Sequence, residues 1–131
     1  MKNLITVFLV FFIISPVHAS MESLKKQGYD EDVIEKISDG IEKGINFDRN
    51  KLIFTYYCGG GAICGGIYIP DSVYIVNFPD NYKIDDERKE FSLSYSKDSN
   101  KVCVSGVSAY DDSVYNNKCY VLKSNSLLDS K

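Results

Sequence analysis

The sequence predicts an α+β domain in which an N-terminal helix packs on one face of a five- or six-stranded antiparallel meander sheet held by two disulfides. Three observations lead there. Apolar residues recur at helical spacing from Glu31 to about Lys43, the period turns strand-like from Lys51 onward, and four cysteines stand in or beside the strand-like runs. A parallel nucleotide-binding architecture needs helices between strands, and no helical stretch follows Lys51.

The chain opens with an export signal. Lys2 precedes an apolar run from Leu4 to Ile14, which breaks at Ser15-Pro16 and ends in Val17-His18-Ala19 before Ser20. That run is shorter than the roughly 20 residues a membrane-spanning helix needs. Cleavage after Ala19 is therefore expected, giving a periplasmic or secreted protein with no membrane association; a retained anchor is the competing reading. The mature chain divides into one domain over 20–122 and a flexible polar tail over 123–131.

Ser20 to Gln27 reads as a short helix ending at Gly28. The next helix starts at Asp30 as N-cap, with Glu31 and Asp32 in the first turn where the macrodipole favours negative charge. Val33, Ile34, Ile37, Ile41 and Ile45 form its apolar stripe, and Gly44 is suited to end it. Strands follow over Leu52 to Cys58, Cys64 to Ile69 and Val73 to Phe78, with breaks at Pro70-Asp71 and Pro79-Asp80-Asn81. Phe91 to Ser96 alternates between apolar and small polar residues, as a strand with one wet face does. Asp98-Ser99-Asn100 turns into Lys101 to Val107, and a last short strand spans Lys118 to Leu122.

Charge and composition remove several function classes. Without residues 1–19 the chain carries 14 basic and 18 acidic residues, a net charge of −4. That balance argues against a nucleic-acid partner, which needs a basic face to displace counterions from phosphates. The single histidine, His18, lies in the export signal, so the mature protein has no Ser-His-Asp or Cys-His system, no histidine zinc site and no imidazole base. Asp85-Asp86-Glu87 and Asp111-Asp112 are the dense carboxylate groups, and glycoside hydrolysis needs one such carboxyl in an apolar pocket. Both lie in polar turn segments. No enzyme activity, cofactor or metal is expected.

Four cysteines allow three connectivities, and the sequential pairs Cys58 with Cys64 and Cys103 with Cys119 are favoured. On the chain-entropy model these closures contribute roughly 2.5 and 3 kcal/mol. The first encloses Gly59-Gly60-Gly61, with Gly65-Gly66 just beyond it. Such glycines serve either as an anion-binding nest of backbone N–H groups or as the positive-φ residues of a tight turn. The second spans Ser105 to Lys118, whose Tyr, Ser, Gly and Asn composition recurs in binding loops. Tyr110, Asp111, Asp112 and Tyr115, with Gly60 and Gly61 at the first loop, are the candidate contacts for another protein, such as a secreted enzyme, a toxin or an envelope component.

An exported domain with a leading helix, a strand ending in Tyr56-Tyr57-Cys58 and a short loop closed by Cys64 resembles the periplasmic inhibitors of lysozyme. In that family the disulfide-closed loop enters the target's cleft with polar and ionisable side chains. Here Gly59, Gly60, Gly61, Ala62 and Ile63 stand in that place, so the resemblance implies a rigid exported domain that blocks or neutralises another protein. The Cys103 to Cys119 segment also resembles the C-terminal disulfide region of type IV pilin globular domains, which implies a structural subunit as the alternative. The pilin pattern of a glycine cleavage site before a long apolar helix is absent, Val17-His18-Ala19 standing instead.

Overall fold

A computed structural model describes Leu9 and residues 16–131. The export signal read over residues 1–19 thus lies outside the described residues, except for Leu9 and for residues 16–19, which open the first helix. Helix α1 spans Pro16–Lys26 and α2 spans Glu31–Lys43. Eight strands follow, in two antiparallel sheets.

Helix α1 stops because Gly28, at φ 92°, donates to the Lys25 carbonyl while Tyr29 donates to that of Leu24. This paired closure needs the left-handed conformation that glycine adopts without strain. Asp30 holds the N-cap position of α2 in extended conformation, but its side chain makes no capping hydrogen bond. Its contribution at that end is therefore charge. Gly44 closes the helix by donating to the Gly40 and Ile41 carbonyls. Gly40 has a separate reason to be glycine: a Cβ there would stand 2.7 Å from the Leu52 side chain, so its absence lets α2 settle onto the sheet.

The first sheet is built around β2 (Ala62–Ile69), with β1 (Leu52–Tyr57) on one side and both β3 (Tyr74–Asn77) and β4 (Tyr82–Lys83) on the other. The second orders β5 (Ser92–Ser94), β6 (Lys101–Val107), β7 (Val114–Lys123) and β8 (Ser126–Asp129) side by side. Helices, first sheet and second sheet stack as three layers with two cores. Leu24, Val33, Ile37, Leu52, Phe54, Tyr68 and Ile75 fill the space between helices and first sheet. Phe47, Ile53, Ile67, Ile69, Val76, Tyr82, Val102, Val104, Tyr120 and Leu122 fill the space between the sheets.

The α+β class and both disulfides hold, with more strands than the five or six expected and two sheets in place of one. The first sheet is the middle layer, so its strands are apolar on both faces: Leu52 and Phe54 turn toward the helices and Ile53 toward the second sheet. Segment 123–131, expected as a flexible tail, is a second departure. Ser124 and Asn125, at φ 49° and 61°, form a two-residue hairpin turn that returns the chain along β7 as β8. Leu127 there packs against the inter-sheet core.

Candidate functional site

Strand β4 organises one end of the molecule because it pairs on both sides. On one side Ala62 and Ile63 of β2 oppose Lys83 and Tyr82, and Ile84 N–H donates to the Gly61 carbonyl at 2.9 Å. On the other side Tyr82 bridges to Ser108, and Ala109 N–H donates to the Asn81 carbonyl at 2.8 Å. The glycine tip and the loop Ser108–Ser113, which lies within the Ser105 to Lys118 segment proposed from sequence and carries Tyr110, Asp111 and Asp112, therefore flank a common short strand. Their separation in sequence hid this.

The tip is a tight turn. Gly59, Gly60 and Gly61 all take positive φ, at 93°, 61° and 73°, and Ala62 N–H closes back on the Gly59 carbonyl. Cys58 and Cys64 bridge behind it. Gly65 and Gly66 are not part of an anion nest. They lie within β2, where a Cβ would meet the Phe54 carbonyl and the Phe78 ring at Gly65, or the Val76 carbonyl at Gly66.

Asp80, 8% exposed, is the polar centre of this end. Its carboxylate accepts hydrogen bonds from Asn81 N–H at 2.7 Å, Ser108 Oγ at 3.0 Å and Tyr115 Oη at 2.8 Å. Ser108 Oγ in turn accepts from the N–H groups of Tyr110 and Asp111, fixing the loop backbone. Tyr115 thus differs in role from its companions. Its hydroxyl is committed to Asp80, and that bond together with partial burial pushes its pKa up to about 12. Tyr110 stays 77% exposed, its hydroxyl accepting from Asn81 Nδ2 at 2.8 Å.

A surface ion-pair group holds the same loop from outside. Asp86 takes Arg88 in a bidentate pair at 2.6 and 2.8 Å, while Asp112, at φ 63°, pairs with Arg88 and Lys83. Hydrogen bonds from Arg88 hold the Asp86 carboxyl well below the usual carboxylate range, and those from Lys83 and Arg88 lower that of Asp112. Asp111 is lowered too, by Ser113, which donates both Oγ and N–H to it. Asp86, Asp111 and Asp112 are thus drawn toward the charged form, the opposite of what a general acid needs. Ser108 is fully buried beside Asp80, out of reach of a substrate carbonyl.

No family model, curated protein or solved structure matches this chain.

Among the described residues no group of three or more His, Cys, Asp or Glu side chains is placed to hold a metal ion. Asp111 and Asp112 instead satisfy a serine and two cations. Asp80, Asn81, Lys83, Arg88 and Ser108 were not singled out as site residues from sequence. Pro79-Asp80-Asn81 signalled only a turn, and nothing local announces that its aspartate accepts from residues 28 and 35 positions away.

Proposed function

We propose that this chain is an exported, non-enzymatic protein-binding domain, a periplasmic inhibitor or immunity-type protein, that contacts its partner with the end built around β4. The observation that carries this reading is Tyr110. A largely exposed aromatic ring stands on a loop whose backbone is fixed from inside by Ser108 and Asp80 and from outside by the Asp112 ion pairs. Tyrosine contributes rigid contact area at low entropic cost, and a loop ordered before binding lowers the cost further. The two disulfides fit an oxidising compartment outside the cytoplasm. The depressed pKa values of Asp86 and Asp112 speak against acid-base hydrolysis at this end.

The test is capture of a partner from periplasmic or secreted fractions with the purified protein, followed by affinity measurement on Tyr110→Ala. Truncating a central aromatic contact costs about 2 kcal/mol or more in binding. Because Tyr110 is exposed, thermal stability should not change. Equal affinity of the variant and the parent would remove the loop from the interface, and recovery of pilus components would favour the structural-subunit alternative.

A further inference from the structure

Strand β1 is an edge of the first sheet, and half of its backbone groups face away from β2. Its even-numbered residues bond to β2, a pattern that continues past its end where Cys58 N–H donates to Ala62 O. The odd-numbered positions direct N–H and C=O away from β2. At Lys51 both groups are met by the Phe47 backbone, at 2.9 and 3.1 Å. At Ile53 both are met by the Asn46 side-chain amide, at 2.7 and 3.0 Å. The chain thus imitates a neighbouring strand for two steps and then stops. Thr55 and Tyr57 have no such partner among the described residues.

We propose that β1 pairs with β1 of a second copy of this chain, antiparallel about a two-fold axis at Tyr56. In that register Thr55 of each copy opposes Tyr57 of the other. An antiparallel hydrogen-bonded pair exchanges both of its N–H···O bonds, so two such pairs use all four open groups of each copy. The contact is self-complementary, as a two-fold interface requires.

The side chains match in the same register. Directly opposed residues share a face of the sheet, which brings Tyr57 of one copy beside Thr55 of the other. Tyr57 is 72% exposed, and Thr55 borders a groove of about 220 Å³ between β1 and β5, lined by Ile53, Phe91, Leu93 and Tyr95. Each copy supplies one exposed ring and one groove to receive it, whereas a foreign peptide would have to bring its own. The edge is also unguarded. Soluble proteins protect edges with lysine, proline, bulges or short length, and Leu52–Tyr57 carries none of those residues. The other edges, β3, β5 and β8, are only three or four residues long.

Sedimentation velocity of the purified, oxidised protein, paired with amide hydrogen exchange, tests this. The parent protein should dimerise at micromolar concentration, with the Thr55 and Tyr57 amides becoming protected as concentration rises. Thr55→Pro removes an N–H that points away from β2, so the β1–β2 ladder survives it. Tyr57→Lys puts a charge where the ring would dock. Each should weaken the dimer by about tenfold or more, with unchanged circular dichroism. If Thr55→Pro does not fold, the exposed Tyr57→Lys change decides. A parent protein that stays monomeric at millimolar concentration overturns the proposal, even if it binds an extended peptide of another protein. A dimer that survives Tyr57→Lys, or Thr55 and Tyr57 amides that remain unprotected in the dimer, overturns it as well.

Discussion

Asp80 and the tyrosines around it show how much depends on whether a buried oxygen has a partner. Tyr115→Phe withdraws one of three donors from a carboxylate that is almost fully buried, and a hydrogen bond to a charged group contributes about 1.5–3 kcal/mol. A loss of that order in urea unfolding is expected. The raised Tyr115 pKa also sets a pH dependence. Between about 10 and 12 the unfolded tyrosine has lost its proton while the folded one keeps it, so this contribution is complete below pH 10 and fades as pH rises toward 12. Tyr115→Phe should therefore flatten the alkaline limb of the stability profile. Tyr82 is the counter-case. Its ring stacks on Phe91 at 5.3 Å and meets Tyr115 edge-on at 5.6 Å, yet its buried hydroxyl has no partner among the described residues. Tyr82→Phe keeps the rings and removes the orphan, so its melting temperature should equal or exceed the parent's. Neither role was legible in the sequence. Whether a tyrosine hydroxyl finds a carboxylate depends on contacts far apart along the chain.

At the scale of elements, legibility followed local chemistry. The boundaries of α2 agree with the expected Glu31 to Lys43 because its stripe, its acidic first turn and Gly44 act within a few residues. The turn between β1 and β2 was readable for the same reason, since only glycine adopts positive φ freely three times in a row. Gly60→Ala should therefore cost about 1–2 kcal/mol from the left-handed backbone alone, although nothing lies within 4 Å of the added methyl. Chemical denaturation of the oxidised variant measures this, and an unchanged midpoint would mean the turn relaxes. Strand β8 escaped notice because Ser124-Asn125 lacks the glycine that usually marks a two-residue hairpin turn. The last expected strand, Lys118 to Leu122, proved to be the C-terminal half of the longer β7, because Tyr115 and Val114 resume the pairing with β6 beyond a register shift at Asn116-Asn117.

At the scale of the whole molecule, the missed second sheet has a single physical origin. A strand covered on one face alternates, whereas one covered on both faces reads as a continuous apolar run. β2 is buried at seven of its eight positions, so it belongs to a middle layer; Phe91 to Ser96, with its alternation, belongs to an outer one. The two patterns together implied two sheets, and β4, only two residues long, joins them at one end. The candidate site was legible only in part: Tyr110 and Asp112 from composition, the Asp80 centre not at all.

The disulfides each join cysteines consecutive in the chain, and each stays within one hairpin and one sheet. A chain leaving a translocation channel from its N-terminus would present Cys58 and Cys64 together, and could close them before Cys103 and Cys119 emerge. Oxidation in order of emergence then gives the native pairing without a wrong bond to undo. The oxidised protein should accumulate normally in export-competent cells that lack a disulfide isomerase and fail in cells that lack the oxidase. Non-reducing electrophoresis of the two strains measures it, and scrambled species in the isomerase-deficient cells would contradict vectorial closure.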